Sequence, residues 1–148
     1  MSGKKTETLS VSTILIAPIK SLICELPDVN CDYIFCTSTE IKVPKGDNIL
    51  ALYFDDIIDE KNPNSFQPWQ ADRICSFLFR EGANEELFVC CDSGVSRSPA
   101  IAAAILLARG ESDDIIWDSI EYHPNLLVFG LQCAAFGIEQ NVHCTEGI

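Results

Sequence analysis

Positive charge is what this chain has least of: ten lysines and arginines stand against twenty-two aspartates and glutamates, a formal net charge of −12. So acidic a surface repels phosphate-rich polymers and anionic bilayers, which argues against nucleic acid or membrane as a partner. Long apolar runs are missing as well. No stretch approaches the roughly 20 residues of a membrane-spanning helix, and the opening Met1-Ser-Gly-Lys-Lys-Thr-Glu-Thr8 lacks the apolar core of a secretory signal. A cytoplasmic location is therefore expected. Imidazole is scarce, with His123 and His143 the two histidines, and no two cysteines stand at Cys-x-x-Cys spacing, so no metal site and no cofactor are expected. Repeats, low-complexity tracts and linkers are absent too. At 148 residues the chain reads as one domain, 1–148, with enough apolar content (47%) for one good core.

Cysteine, by contrast, is plentiful. The eight (24, 31, 36, 75, 90, 91, 133 and 144) lie mostly inside apolar segments of a mid-sized chain and read as reduced core residues rather than a disulfide framework. Strand and helix patterns alternate along the sequence. Leu9–Ile16, Cys31–Cys36, Asn48–Phe54 and Leu87–Cys90 have β-rich, apolar character, with a turn at Pro44-Lys-Gly46. Helical patterns cover Ile19–Leu26, Phe66–Arg80, Pro99–Arg109, a stretch from Ser112 to Ile120, and Asn125–Gly137. This alternation predicts an α/β fold with a mostly parallel central sheet flanked by helices, Leu87–Cys90 being a central strand covered on both faces.

The most informative stretch is Cys91-Asp-Ser-Gly94-Val-Ser-Arg97-Ser98-Pro99, where that apolar strand runs into a strong helix pattern. Ser98 can cap the helix, Pro99 suits its first turn and Gly110 its end. Backbone N–H groups of Asp92, Ser93, Gly94, Val95, Ser96 and Arg97, closed by a helix N-terminus, can form a concave nest for a tetrahedral oxyanion. The same field favours a thiolate, the nucleophilic form of cysteine, at Cys91. Arg97 offers a planar fork for two phosphate oxygens, and its charge suits the phosphorus under attack. A hydrogen bond from Ser98 to the sulfur would make the thiolate a better leaving group when a phosphocysteine is hydrolysed.

The Cys-x5-Arg-Ser spacing with Gly94 between resembles the signature of the cysteine-dependent protein tyrosine and dual-specificity phosphatases. Roughly the whole chain can be laid on the compact version of that fold, although only the signature is specific. The resemblance implies a protein tyrosine phosphatase-like fold and hydrolysis of phosphomonoesters through a phosphocysteine intermediate. It implies a general acid after the third strand, within Asp55-Asp56-Ile57-Ile58-Asp59-Glu60; Asp56 is the best match, with Asp55 and Asp59 as alternatives. It also implies that Asn125, after Pro124, braces the phosphate loop and the acid loop. One departure stands out: Cys90 occupies the position where the family usually has a histidine that helps position the loop.

Inositol-phosphate and lipid phosphatases of this kind tend to carry lysines within the loop, whereas this loop has Asp92 and no lysine. The expected substrate is thus a phosphorylated protein, phosphotyrosine first with dual specificity open, or a small aryl phosphate. Two other classes fit the same loop. One is a phosphoprotein-binding relative that has lost turnover; the other, a weaker fit, is a sulfur-transfer or arsenate-reducing enzyme.

Overall fold

The structure, a computed structural model, describes residues 9–21, 28–39 and 45–139. Four strands, β1 (Thr13–Pro18), β2 (Cys31–Thr37), β3 (Ile49–Tyr53) and β4 (Glu86–Cys91), form one sheet in the order β1-β4-β2-β3, every neighbouring pair parallel. The helices among the described residues are α1 (Pro68–Leu78), α2 (Arg97–Ala108), α3 (Asp114–Trp117) and α4 (Leu126–Ala135), with a 3₁₀ turn at Ile19–Ser21. The expected α/β architecture with a parallel sheet and a central β4 is what the chain adopts. Residues 22–27, 40–44 and 140–148 lie outside the described set, and with them most of the helix expected over Ile19–Leu26, Pro44 of the expected turn, and His143.

Pleating sends alternate side chains of β2 and β4 to opposite faces. Ile34, Cys36, Leu87, Val89 and Cys91 join the main core, where they meet Ile74 and Phe77 of α1, Ala100–Ile105 of α2, and Val128, Phe129 and Cys133 of α4. Cys31, Tyr33, Phe35 and Cys90 form a smaller cluster on the other face with Ile19, where the Tyr33 ring stacks on both Phe35 and Phe88. The sheet is flanked as expected: among the described residues the three longer helices share the Cys91 face, and Ile19 of the 3₁₀ turn packs on the other. Helix α2 can be buried all round because it is built of small residues. Ala100, Ala102, Ala103 and Ala104 let it sit tightly between the sheet and α4, with Ile101 and Ile105 filling the remaining space.

Several boundaries differ for local reasons. Strand β1 begins at Thr13 rather than Leu9, because its partner β4 begins at Glu86; the amides of Ser12 and Thr13 share the Glu85 carbonyl at that edge. Helix α3 is one turn and does not reach Ile120, which is almost fully exposed and has no apolar surface to pack against. Helix α2 starts at Arg97, with Ser96 rather than Ser98 in the cap position. That two-residue shift frees the Ser98 hydroxyl for another partner.

Candidate active site

Parallel sheets bind ligands outside the carboxyl ends of their strands. Here those ends bring together Pro18 of β1, Thr37 and Ser38 at the end of β2, Phe54 after β3, and the loop Cys91–Arg97 after β4. Gly94 makes the turn. Its φ is +74°, and a Cβ there would lie 3.0 Å from the Pro18 nitrogen, so the conformation disfavours a side chain and the space leaves little room for one.

The turn wraps the loop around the Cys91 sulfur. Cys91 Sγ accepts hydrogen bonds from the Gly94 amide at 3.2 Å and the Ser98 amide at 3.3 Å, and the Ser98 hydroxyl sits 3.2 Å away. Two backbone amides and one hydroxyl thus converge on one sulfur. Cys90, in the position where the resemblance expects histidine, takes no part in this. It is fully buried on the opposite face of the sheet, and burial, reinforced by the adjacent Cys91, pushes its thiol up to about 12. Cys36, the register partner of Cys91 on β2, is likewise kept protonated, first by burial and then by Cys91.

The loop is braced instead from its outer side. The His123 amide donates to the Val95 carbonyl at 2.8 Å and the Asn125 amide to the Ser96 carbonyl at 3.1 Å. Because each peptide unit is planar and trans, the N–H groups of Ser96 and Arg97 point away from the 123–125 segment. Val95 N is spent on Ser93 Oγ at 3.2 Å. Of the amides expected to cradle an anion, those of Gly94 and Val95 thus have partners within the loop.

Arg97 is only 5% exposed, and its hydrogen bonds can be counted. Nη1 donates to the Phe54 carbonyl at 2.7 Å and to Ser38 Oγ at 2.9 Å; Nη2 donates to Asp92 Oδ2 at 2.9 Å. Two of the five N–H bonds remain, one on Nη2 and the one on Nε, and buried Nε has no partner at all. These two nitrogens form the side edge of the guanidinium, the edge that grips two oxygens of one anion. A buried donor left unmade costs about 1–3 kcal/mol, which a bound oxyanion would recover.

Asp56 stands at the rim. Its Oδ1 accepts from Ser96 Oγ at 2.9 Å and from Asn125 Nδ2 at 2.8 Å. Both donors engage one oxygen, leaving Oδ2 for another partner. Asn125 also donates to the Ile57 carbonyl and, through Oδ1, caps α4 by accepting the Val128 amide. Its side chain therefore ties the Asp56–Ile57 segment to a helix start, and its backbone amide ties both to the Cys91–Arg97 loop. Asp59 instead closes its own turn by accepting the Lys61 amide, and the Asp55 amide bonds to Asn64. Of the three aspartates, Asp56 is the one joined to the loop.

Sequence reasoning missed Thr37, Ser38 and Phe54, which hold Asp92 and Arg97. Their signal was positional: residues at or just past the carboxyl end of a strand belong beside the loop once the strand order is known. Among the described residues no cluster of histidine, cysteine or carboxylate side chains could hold a metal, and no helix is long and apolar enough to cross a membrane. No protein-family model matches the chain, and no curated protein does.

Proposed function

We propose that this protein is a cysteine-dependent phosphatase of protein tyrosine phosphatase-like fold, hydrolysing phosphomonoesters, phosphotyrosine foremost, through a phosphocysteine intermediate. The observation that carries the reading is the pairing of a sulfur that accepts two loop amides beside the Ser98 hydroxyl with a buried arginine whose side edge is unsatisfied at Nε. In the first step Cys91 Sγ attacks phosphorus, Arg97 holds two equatorial oxygens, and Asp56 gives its proton to the departing oxygen. In the second, water attacks the phosphocysteine with Asp56 as base, and the Ser98 hydroxyl stabilises the departing thiolate. No metal or cofactor is needed for either step. A cytoplasmic location accords with the six described cysteines, all free thiols. The test is aryl phosphate hydrolysis across about pH 5 to 8 with a thiol reductant present. Cys91→Ser is expected to abolish turnover; Asp56→Asn should lower kcat about 10²-fold and lose the basic-side fall of the profile.

A second reading, a phosphoprotein-binding relative without turnover, draws on the carboxylate of Asp92, which holds one Arg97 nitrogen. It predicts that wild type and Cys91→Ser bind a phosphopeptide alike and that neither hydrolyses it.

A further inference from the structure

The phosphatase reading leaves the loop's own acid without a role. Asp92 is held by three donors: Thr37 Oγ1 at 2.7 Å, the Ser38 amide at 3.3 Å and Arg97 Nη2 at 2.9 Å. Its side chain is nevertheless 46% exposed, against 5% for Arg97. We propose that Asp92 sets the charge of the substrate: the site takes phosphate esters with a cationic group next to the phosphate and disfavours those with a second anion there. This rests on the phosphatase reading and refines it.

Three observations support it. First, the carboxylate keeps its place and its charge. Desolvation works against ionisation, but the hydrogen bonds from Thr37, Arg97 and Ser38, with the Arg97 charge, outweigh it and hold the group below the usual carboxylate range. Second, Asp92 and the bound phosphate would share one nitrogen. With Asp92 on one hydrogen of Nη2 and the phosphate on the other, the two anions would lie roughly 5 Å apart at their nearest oxygens. A single guanidinium charge then serves two anions, and a further anion on the substrate meets uncompensated negative charge. Third, among the described residues no cation besides Arg97 pairs with it; neither Lys20, which follows β1, nor Lys61, in the acid loop, does so. The second rim carboxylate, Asp56, is exposed as well. A lysine or arginine beside the phosphorylated residue can reach the exposed face of Asp92.

The experiment compares two phosphotyrosine peptides that differ only at the residue following phosphotyrosine, lysine in one and glutamate in the other. Their kcat/KM values are measured with wild type, Asp92→Asn and Asp72→Asn; Asp72 is an exposed acid on α1, so its change removes the same charge elsewhere. Wild type and Asp72→Asn are expected to favour the lysine peptide roughly tenfold, and Asp92→Asn only about twofold to threefold. Because the preference is a ratio of two substrates on one enzyme, loss of folded protein cancels. In wild type, moving the lysine several residues away should erase most of the preference, a result that needs no variant. An unchanged preference in Asp92→Asn, or one indifferent to the lysine's position, overturns the inference while leaving the phosphatase reading intact. Absence of hydrolysis of both peptides by wild type overturns the phosphatase reading and the inference with it.

Discussion

Two aspartate–arginine pairs lie at opposite ends of the same sheet, and they bury opposite partners. At the amino end Asp32 is fully buried, while Arg80 is 23% exposed. Its carboxylate receives four hydrogen bonds, from Arg80 Nη1 and Nη2 at 2.9 and 2.8 Å and from the Asn84 amide and side chain at 3.2 and 2.8 Å. Arg80 also lies over the Phe77 ring. At the carboxyl end the cation is buried, the anion is half in water, and a buried N–H has no partner. The first pair is closed: the buried anion has all the donors it can use, so it joins α1 to β2 and binds nothing else. The second is open, a buried cation whose Nε has no partner, beside the Cys91–Arg97 loop. Which partner is buried, and whether it is satisfied, separates an ion pair that holds the fold from one with capacity to spare, the capacity that the proposed reading gives to a phosphate.

The sharpest way to break that contrast is Arg97→Lys. Lysine keeps the charge but cannot fork, so kcat on an aryl phosphate should fall about 10³-fold with the fold retained, as paired activity and thermal-melt measurements would show. Arg80→Met probes the other end. Removing the partner of a buried carboxylate costs about 3 kcal/mol, discounted because Arg80 is partly exposed. Urea unfolding should register that loss, while kcat per folded molecule stays near wild type. An arginine swap that reversed these two outcomes would show that the two pairs have been misassigned.

Gly94→Ala is milder. It forces a Cβ against Pro18 at positive φ, costing about 1–3 kcal/mol and displacing the loop amide from Cys91; activity should drop more than stability. The smallest effect concerns pH. Burial raises the thiols of Cys31 and Cys75 to about 11 and that of Cys90 to about 12, from 9.0. A group whose folded value is raised adds stability that is complete below the unfolded value and is lost as pH climbs through the folded one. The urea midpoint should therefore drift downward above about pH 9.

Much of this was legible in the residues. β-branched and aromatic runs marked the strands, the Ala-rich stretch marked α2, and Cys91, Gly94, Arg97 and Ser98 marked the loop, because local chemistry dictates each of them. What escaped the sequence depends on strand order. Thr37 reaches Asp92, and Ser38 and Phe54 reach Arg97, only because β2 and β3 lie on one side of β4, and nothing local to those residues announces it. The helix cap was misplaced from Ser96 to Ser98 because both are serines two positions apart. Only the turn at Gly94 decides which hydroxyl meets the sulfur and which meets Asp56.

The most direct test of the central claim is to trap the covalent intermediate. Wild type mixed with an aryl phosphate, quenched in acid within a turnover and analysed by peptide mass, should carry one phosphoryl group on the peptide containing Cys91, and Cys91→Ser should carry none. Turnover with no phosphoryl group on Cys91, or with the group on another residue, would contradict the account.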